Sequence, residues 1–152
     1  MPPKEWKVNE EVTEILDFDP LYYNNLNESE KKYEWYGVDL DGTLVEYHGE
    51  ERGLTFMGKP IPKTVDYVKK MIAEGKEVRI FTARIGKVTL SLFPKVTKND
   101  VIKSINEWCL KHIGKILIVT NEKDYGMVSL RDDRCIQVIP NTGEIVKAKD
   151  DI

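Results

Sequence analysis

Two carboxylates separated by a single leucine, Asp39 and Asp41, stand directly before a glycine in the segment Asp39-Leu40-Asp41-Gly42-Thr43. Tyr36, Gly37 and Val38 lead into it, which puts the acids where a short buried strand ends. Gly42 allows a turn immediately afterwards, so both carboxylates can converge on one ligand. Two negative charges crowded at a strand mouth repel unless something positive sits between them. A hard divalent cation with oxygen ligands meets that need.

The elements that must position these acids are legible in the apolar pattern. Trp35 to Leu40 is predicted as a strand. Val45 to Ile61, with Gly49, Gly53, Gly58 and Pro60, reads as a loop or small hairpin. Pro62 to Glu74 reads as a helix, with Pro62 in its first turn, Gly75 closing it, and Val65, Val68, Met71 and Ile72 on one face. Glu77 to Thr82 is a second strand, and Ile85 to Thr97 a variable stretch. Asn99 to His112 is a second helix, with Val101, Ile102, Ile105, Trp108 and Cys109 inward and Gly114 as its stop. Lys115 to Thr120 is a third strand, and Met127 to Leu130 and Cys135 to Ile139 are two more short ones. This alternation predicts an α/β fold with a mainly parallel sheet. Ligands of such sheets bind beyond the carboxyl ends of the strands.

That rule gathers the remaining polar clusters. The second strand ends in Thr82-Ala83-Arg84, the third runs into Thr120-Asn121-Glu122-Lys123, and the fourth ends in Asp132-Asp133. With the first acidic pair they offer metal ligands, a hydroxyl and cations on one edge, which is the equipment of phosphoryl transfer.

The chain has 152 residues, most simply one domain with a sizeable core. Its 26 acids and 23 bases leave a net charge of -3, which argues against a mainly electrostatic nucleic-acid binder. Cys109 and Cys135 show no metal-ligand spacing and read as reduced, buried residues of a cytoplasmic protein. No apolar stretch approaches membrane-spanning length, and Met1 to Trp6 holds no apolar signal-like region. Residues 1–34 are acidic and polar with scattered aromatics, and Glu10 to Leu16 could form a short helix. They read as an appendage to a domain spanning 35–152.

Taken in order, Val38-Asp39-Leu40-Asp41-Gly42-Thr43-Leu44, Phe81-Thr82-Ala83-Arg84, Lys123 and Leu130-Arg131-Asp132-Asp133-Arg134 resemble the four motifs of the haloacid dehalogenase (HAD) superfamily of aspartate-nucleophile phosphohydrolases. The likeness runs from about Tyr36 to Val146. It implies a HAD-like Rossmannoid three-layer core with a minimal cap. It also implies that Asp39 is a nucleophile forming an aspartyl-phosphate and that Asp41 is a general acid, then a general base. Thr82 would bind a phosphoryl oxygen with Ala83 and Arg84 beside it, and Lys123 would neutralise charge near Asp39. Asp132, supported by Asp133, would hold Mg²⁺ with Asp39 and the backbone carbonyl of Asp41. The expected substrate is a phosphorylated small molecule or a nucleotide. A nucleic-acid 3′-phosphate is a further candidate, because Asp132-Asp133-Arg134 resembles the phosphatase domain of polynucleotide kinase-phosphatases.

Three departures from the pattern stand out. No further acid follows Asp132-Asp133 at the usual distance, where Ile136 and Gln137 stand. The link from Lys123 to the next strand is too short for a helix. Neither insertion point can hold a cap domain, so the site should be open. Arg84 reads equally well as a phosphate contact or a surface salt-bridge partner, and His48 as a surface residue of the flap loop. The basic stretch Arg84, Lys87, Lys95, Lys98 and Lys103 is expected to recruit an anionic substrate. Gly53 to Pro60 mimics a phosphate-binding loop but has Pro60 where a Ser or Thr should bind the metal. A non-catalytic binding module that keeps the metal site is the alternative reading.

Overall fold

The computed structural model describes residues 33–49 and 52–146. The expected appendage and its Glu10 to Leu16 helix lie outside the described residues, apart from 33 and 34. Four strands, β1 (Trp35–Asp39), β2 (Glu77–Phe81), β3 (Ile118–Thr120) and β4 (Met127–Arg131), form one parallel sheet in the order β3-β2-β1-β4. The fold is thus α/β, as the alternation of apolar patterns predicts. β1 is hydrogen-bonded on both sides, so its Val38 is fully buried, as is Leu40 just beyond it. Strands covered in this way read as apolar runs.

Helix α1 (Pro62–Ala73) begins with proline at its first turn, where a missing N–H costs nothing and the fixed φ suits the helix. Gly75, at φ +81°, closes it. A short helix α2 (Lys87–Ser91) follows a 3₁₀ turn at Ala83–Ile85, inside the segment expected to be variable. Helix α3 (Lys98–His112) opens with a reciprocal cap: Asp100 N donates to Thr97 Oγ1 at 3.1 Å, and Thr97 N donates to Asp100 Oδ2 at 2.9 Å. Lys111 and His112 occupy its last turn, where cations complement the helix dipole.

One apolar cluster joins Val38, Val78 and Ile80 of the sheet to Val65 and Val68 of α1 and to Val101, Ile105 and Trp108 of α3. Both long helices therefore lie against the same sheet face. Each fully buried aliphatic side chain contributes about 1.5–3 kcal/mol relative to exposure. On the other face the Arg79 guanidinium stacks 4.6 Å above the Trp35 ring and pairs with Glu77. Asp124 accepts a 2.8 Å bond from Trp35 Nε1 and lies 3.6 Å from Arg79. The segment 121–126 thus returns across that face without a helix, as its length requires.

Three expectations are corrected. Cys135 to Ile139 does not add a strand to the sheet. It folds back locally, with Ile139 N donating to Glu144 O at 2.7 Å and Val146 N to Gln137 O at 2.8 Å, around a single Val138–Ile145 bridge. The turn at Asp132–Arg134 carries it off the end of β4, beyond any strand that could pair with it. For the same reason Cys135 is exposed rather than buried, whereas Cys109 is buried; both thiols are free. β3 is also shorter than expected, because pairing with β2 begins at the Arg79–Ile118 register. Among the described residues no helix is long and apolar enough to cross a membrane.

The packing separates two leucine-sized positions on one helix. Ile105→Ala should cost about 2–5 kcal/mol in urea unfolding. Leu110→Ala, on the exposed side of α3, should stay within about 0.5 kcal/mol. Equal losses at both sites would contradict the placement of α3.

Candidate functional site

The site is built by strand register. Val38 of β1 lies opposite Arg131 of β4 in parallel pairing, so the residues that follow, Asp39 and Asp132, leave the sheet side by side. Beyond β1 the chain is pinned from beneath. Leu40, Leu44 and Val45 are fully buried, and Leu40 O accepts from Leu44 N at 2.9 Å and Val45 N at 3.0 Å. Gly42 makes the turn at φ +83°, and a Cβ there would meet Asp133 Oδ2 at 2.5 Å. Glycine is favoured there for its backbone angle, and a side chain would also displace the Asp133 carboxylate from its present place.

Asp39, Asp132 and Asp133 each offer a carboxylate oxygen within 4.8 Å of the others. Burial, a hydrogen bond with Asp133 and the charges of Asp132 and Asp133 push the Asp39 carboxyl up to about 7, against a counteracting bond from Leu40 N–H. Thr43 Oγ1 lies 3.4 Å from Asp39 Oδ2, in donating position. Three hard oxygen donors under mutual repulsion suit a divalent cation such as Mg²⁺. Asp132 is oriented by its own turn, in which its Oδ1 accepts from Arg134 N at 2.8 Å.

Asp41 is placed differently. Both its oxygens are held by Arg84, through Nε at 2.9 Å and Nη2 at 2.7 Å. Arg84 Nη1 donates to the carbonyls of Leu54, at 2.8 Å, and Phe56, at 2.7 Å. The arginine is neither a surface salt-bridge partner nor a free phosphate contact. It is a buried clamp joining Asp41 to the 45–61 loop, with four of its N–H groups already engaged. The Asp41 side chain stands outside the three-carboxylate cluster.

Thr82, only 2% exposed, caps the 3₁₀ turn by accepting from Arg84 N at 3.0 Å. Its hydroxyl hydrogen remains available to an acceptor in the cavity that it lines. That cavity, of about 670 Å³, holds Asp39, Asp41, Thr82, Ala83, Arg84, Asp132 and Asp133 along its polar side. Lys123 is exposed and does not line it; the charges that raise Asp39 are those of Asp132 and Asp133, while Lys123 acts on Cys135. Of the basic stretch, Lys87 lines the cavity, and Lys95, Lys98 and Lys103 are exposed away from it. Asn121 and Arg134 also line it, as do Tyr47, Val88, Leu92 and Phe93. Sequence reasoning assigned no site role to these last four, since nothing in their spacing distinguishes a cavity wall from a core face. His48 sits on the loop surface, 3.4 Å from Glu46, with its ring edge-on to Phe56.

No protein-family model matches the chain. It is 32% identical over 86 residues to a protein of Metamycoplasma hominis named "Putative phosphatase in upp 3'region". The match covers 57% of this chain, which spans only about a quarter, 27%, of that relative. A solved structure of a conserved protein from Bacteroides thetaiotaomicron is similar over 70% of this chain and 81% of its own, with 22% identity and a TM-score of 0.45.

The raised Asp39 carboxyl has a definite sign in stability. Unfolded, it titrates near 3.8; folded and metal-free, near 7. The unfolded chain therefore loses its proton first as pH rises. The folded state keeps its full share of stability from this group below about pH 4 and loses it between about pH 4 and 7. In chelator, wild-type melting temperature should fall between about pH 4 and 7 relative to Asp39→Asn, and millimolar Mg²⁺ should restore it. Parallel melting curves for the two proteins would contradict the crowding of the three acids.

Proposed function

We propose that this chain is a Mg²⁺-dependent phosphomonoesterase of the HAD type, working through an aspartyl-phosphate on Asp39. The observation that carries the reading is the convergence of Asp39, Asp132 and Asp133 within 4.8 Å at the carboxyl edge of a parallel sheet. Thr82 shares their cavity. The likeness to a protein bearing a phosphatase name supports the same class of reaction.

The chemistry follows from the residues. An Asp39 oxygen attacks phosphorus as the ester P–O bond breaks. Repulsion between that carboxylate and a dianionic phosphate amounts to several kcal/mol at close range. A Mg²⁺ held by Asp39, Asp132 and Asp133 would offset it and would draw charge from the phosphoryl oxygens. The Thr82 hydroxyl donates to one of those oxygens. Asp41, once parted from Arg84 and protonated, gives that proton to the leaving alkoxide. Asp41 then removes a proton from the water that cleaves the acyl phosphate, which frees inorganic phosphate and regenerates Asp39. For either step Asp41 must release an oxygen from Arg84, so the arginine clamp sets the position from which the acid-base residue starts.

A second reading is favoured by two features. Asp41 is fully engaged as an acceptor, and Lys123 lies outside the cavity; a binding module that keeps its metal site but turns nothing over would look the same. Within the phosphatase reading the substrate is a phosphorylated small molecule or nucleotide. A nucleic-acid 3′-end is the further candidate that the Asp132-Asp133-Arg134 resemblance supplies.

Hydrolysis of p-nitrophenyl phosphate separates the two readings. Turnover should require Mg²⁺ and should vanish in Asp39→Asn. Asp41→Asn should lower kcat by about 10²–10⁴. No release from p-nitrophenyl phosphate, nucleotides or sugar phosphates would leave the binding module standing. A separate arm reads the clamp: Arg84→Lys, which keeps the charge but not the two-pronged geometry, should lower kcat more than it raises KM.

A further inference from the structure

The acidic cluster shares its cavity with apolar side chains. Two of these are exposed in a way that the fold does not explain. In the segment after β2, Leu90 and Phe93 pack against the core and anchor α2. Val88 and Leu92, four residues apart and so on one helical face, point away from that anchorage. They are 76% and 71% exposed and line the cavity. Tyr47, 46% exposed, lines the same cavity from the loop that Arg84 ties to Asp41. Lys87 and Arg134 flank the same opening.

Exposed aliphatic side chains cost nothing singly. Three apolar side chains lining one cavity with the acidic cluster are a different matter, since ligand pockets are mostly apolar with a few placed polar groups. Resting on the phosphatase reading, we infer that the substrate is a phosphomonoester whose leaving group carries a flat apolar body, an aryl or heteroaryl ring. The ring would lie between Tyr47 and the Val88–Leu92 pair while the phosphate sits at Asp39. A cavity of about 670 Å³ has room for both parts. A polyol leaving group would bury little apolar surface against Val88 and Leu92 and so gain little from them. Lys87 and Arg134 add attraction for the phosphate dianion as it enters.

Benzyl phosphate and glycerol 1-phosphate test the idea, because both leave as alkoxides of similar basicity and differ chiefly in the apolar ring. Wild type should prefer benzyl phosphate in kcat/KM. The double variant Val88→Ser/Leu92→Ser, at exposed positions where folding should be unaffected, should lose about tenfold or more on benzyl phosphate. On glycerol 1-phosphate it should change little. Tyr47→Ala should behave in the same direction. Equal turnover of the two esters by wild type, or an equal loss on both in the double variant, would overturn the inference and leave the phosphatase reading intact. Absence of turnover on any phosphomonoester would overturn both.

Discussion

The structure depends on the parallel pairing of β1 with β4. Hydrogen bonds between the two backbones set Val38 against Arg131, and that register decides which side chains leave the sheet together. The consequence is electrostatic. Three carboxylates, Asp39 and Asp132 half-buried and Asp133 exposed, are brought close together, and the Asp39 carboxyl is held near 7 instead of its ordinary range. A slip of one residue in β4 would send Asp132 to the opposite side of the strand's end. The Gly42 turn adds a steric lock, since any side chain there would collide with Asp133. Register and turn are thus two independent constraints on one cluster. Both oppose the repulsion that would otherwise disperse it.

Arg84 provides the second organising interaction. A guanidinium buried beside a carboxylate is stable only where its hydrogen-bonding geometry is nearly complete. Here a carboxylate and two carbonyls complete it. The carbonyls belong to the 45–61 loop, which is also tethered by Trp108 Nε1 donating to Gly58 O at 3.1 Å. The position of Asp41 and that of the loop are therefore coupled through one side chain. The same loop carries Tyr47, which lines the cavity.

Much of this was legible in the sequence, for identifiable reasons. The α/β class followed from apolar periodicity and from Pro62, Gly75 and Gly114 as punctuation. The gathering of Asp39, Thr82, Asp132 and Asp133 followed from the rule that parallel strands open on a common edge. What could not be read depends on pairing partners. Cys135 to Ile139 has a strand-like pattern, but whether it joins a sheet depends on where the Asp132–Arg134 turn directs it, and so does the exposure of Cys135. Arg84 could have met phosphate or protein, because a sequence shows its five donors but not the carbonyls of Leu54 and Phe56. Lys123 follows β3 as a site lysine should, yet the short return through Asp124, anchored to Trp35, draws the segment across the sheet face.

Among the residues that line the cavity, Arg84 is committed to Asp41, and Lys87 and Arg134 are exposed. Exposed charges are screened by water and salt. They steer an anion inward more effectively than they neutralise a buried carboxylate. The excess of negative charge is relieved by a proton on Asp39, and a cation would compete with that proton for the same oxygens. Without either, the cluster is more strained above neutrality. Such strain persists only because burial of Leu40, Leu44 and Val45 beneath the turn holds the acids in place. The apolar floor and the acidic cluster are two sides of one short turn, so the stability of the core and the reactivity of the site cannot be varied independently at residues 39–45.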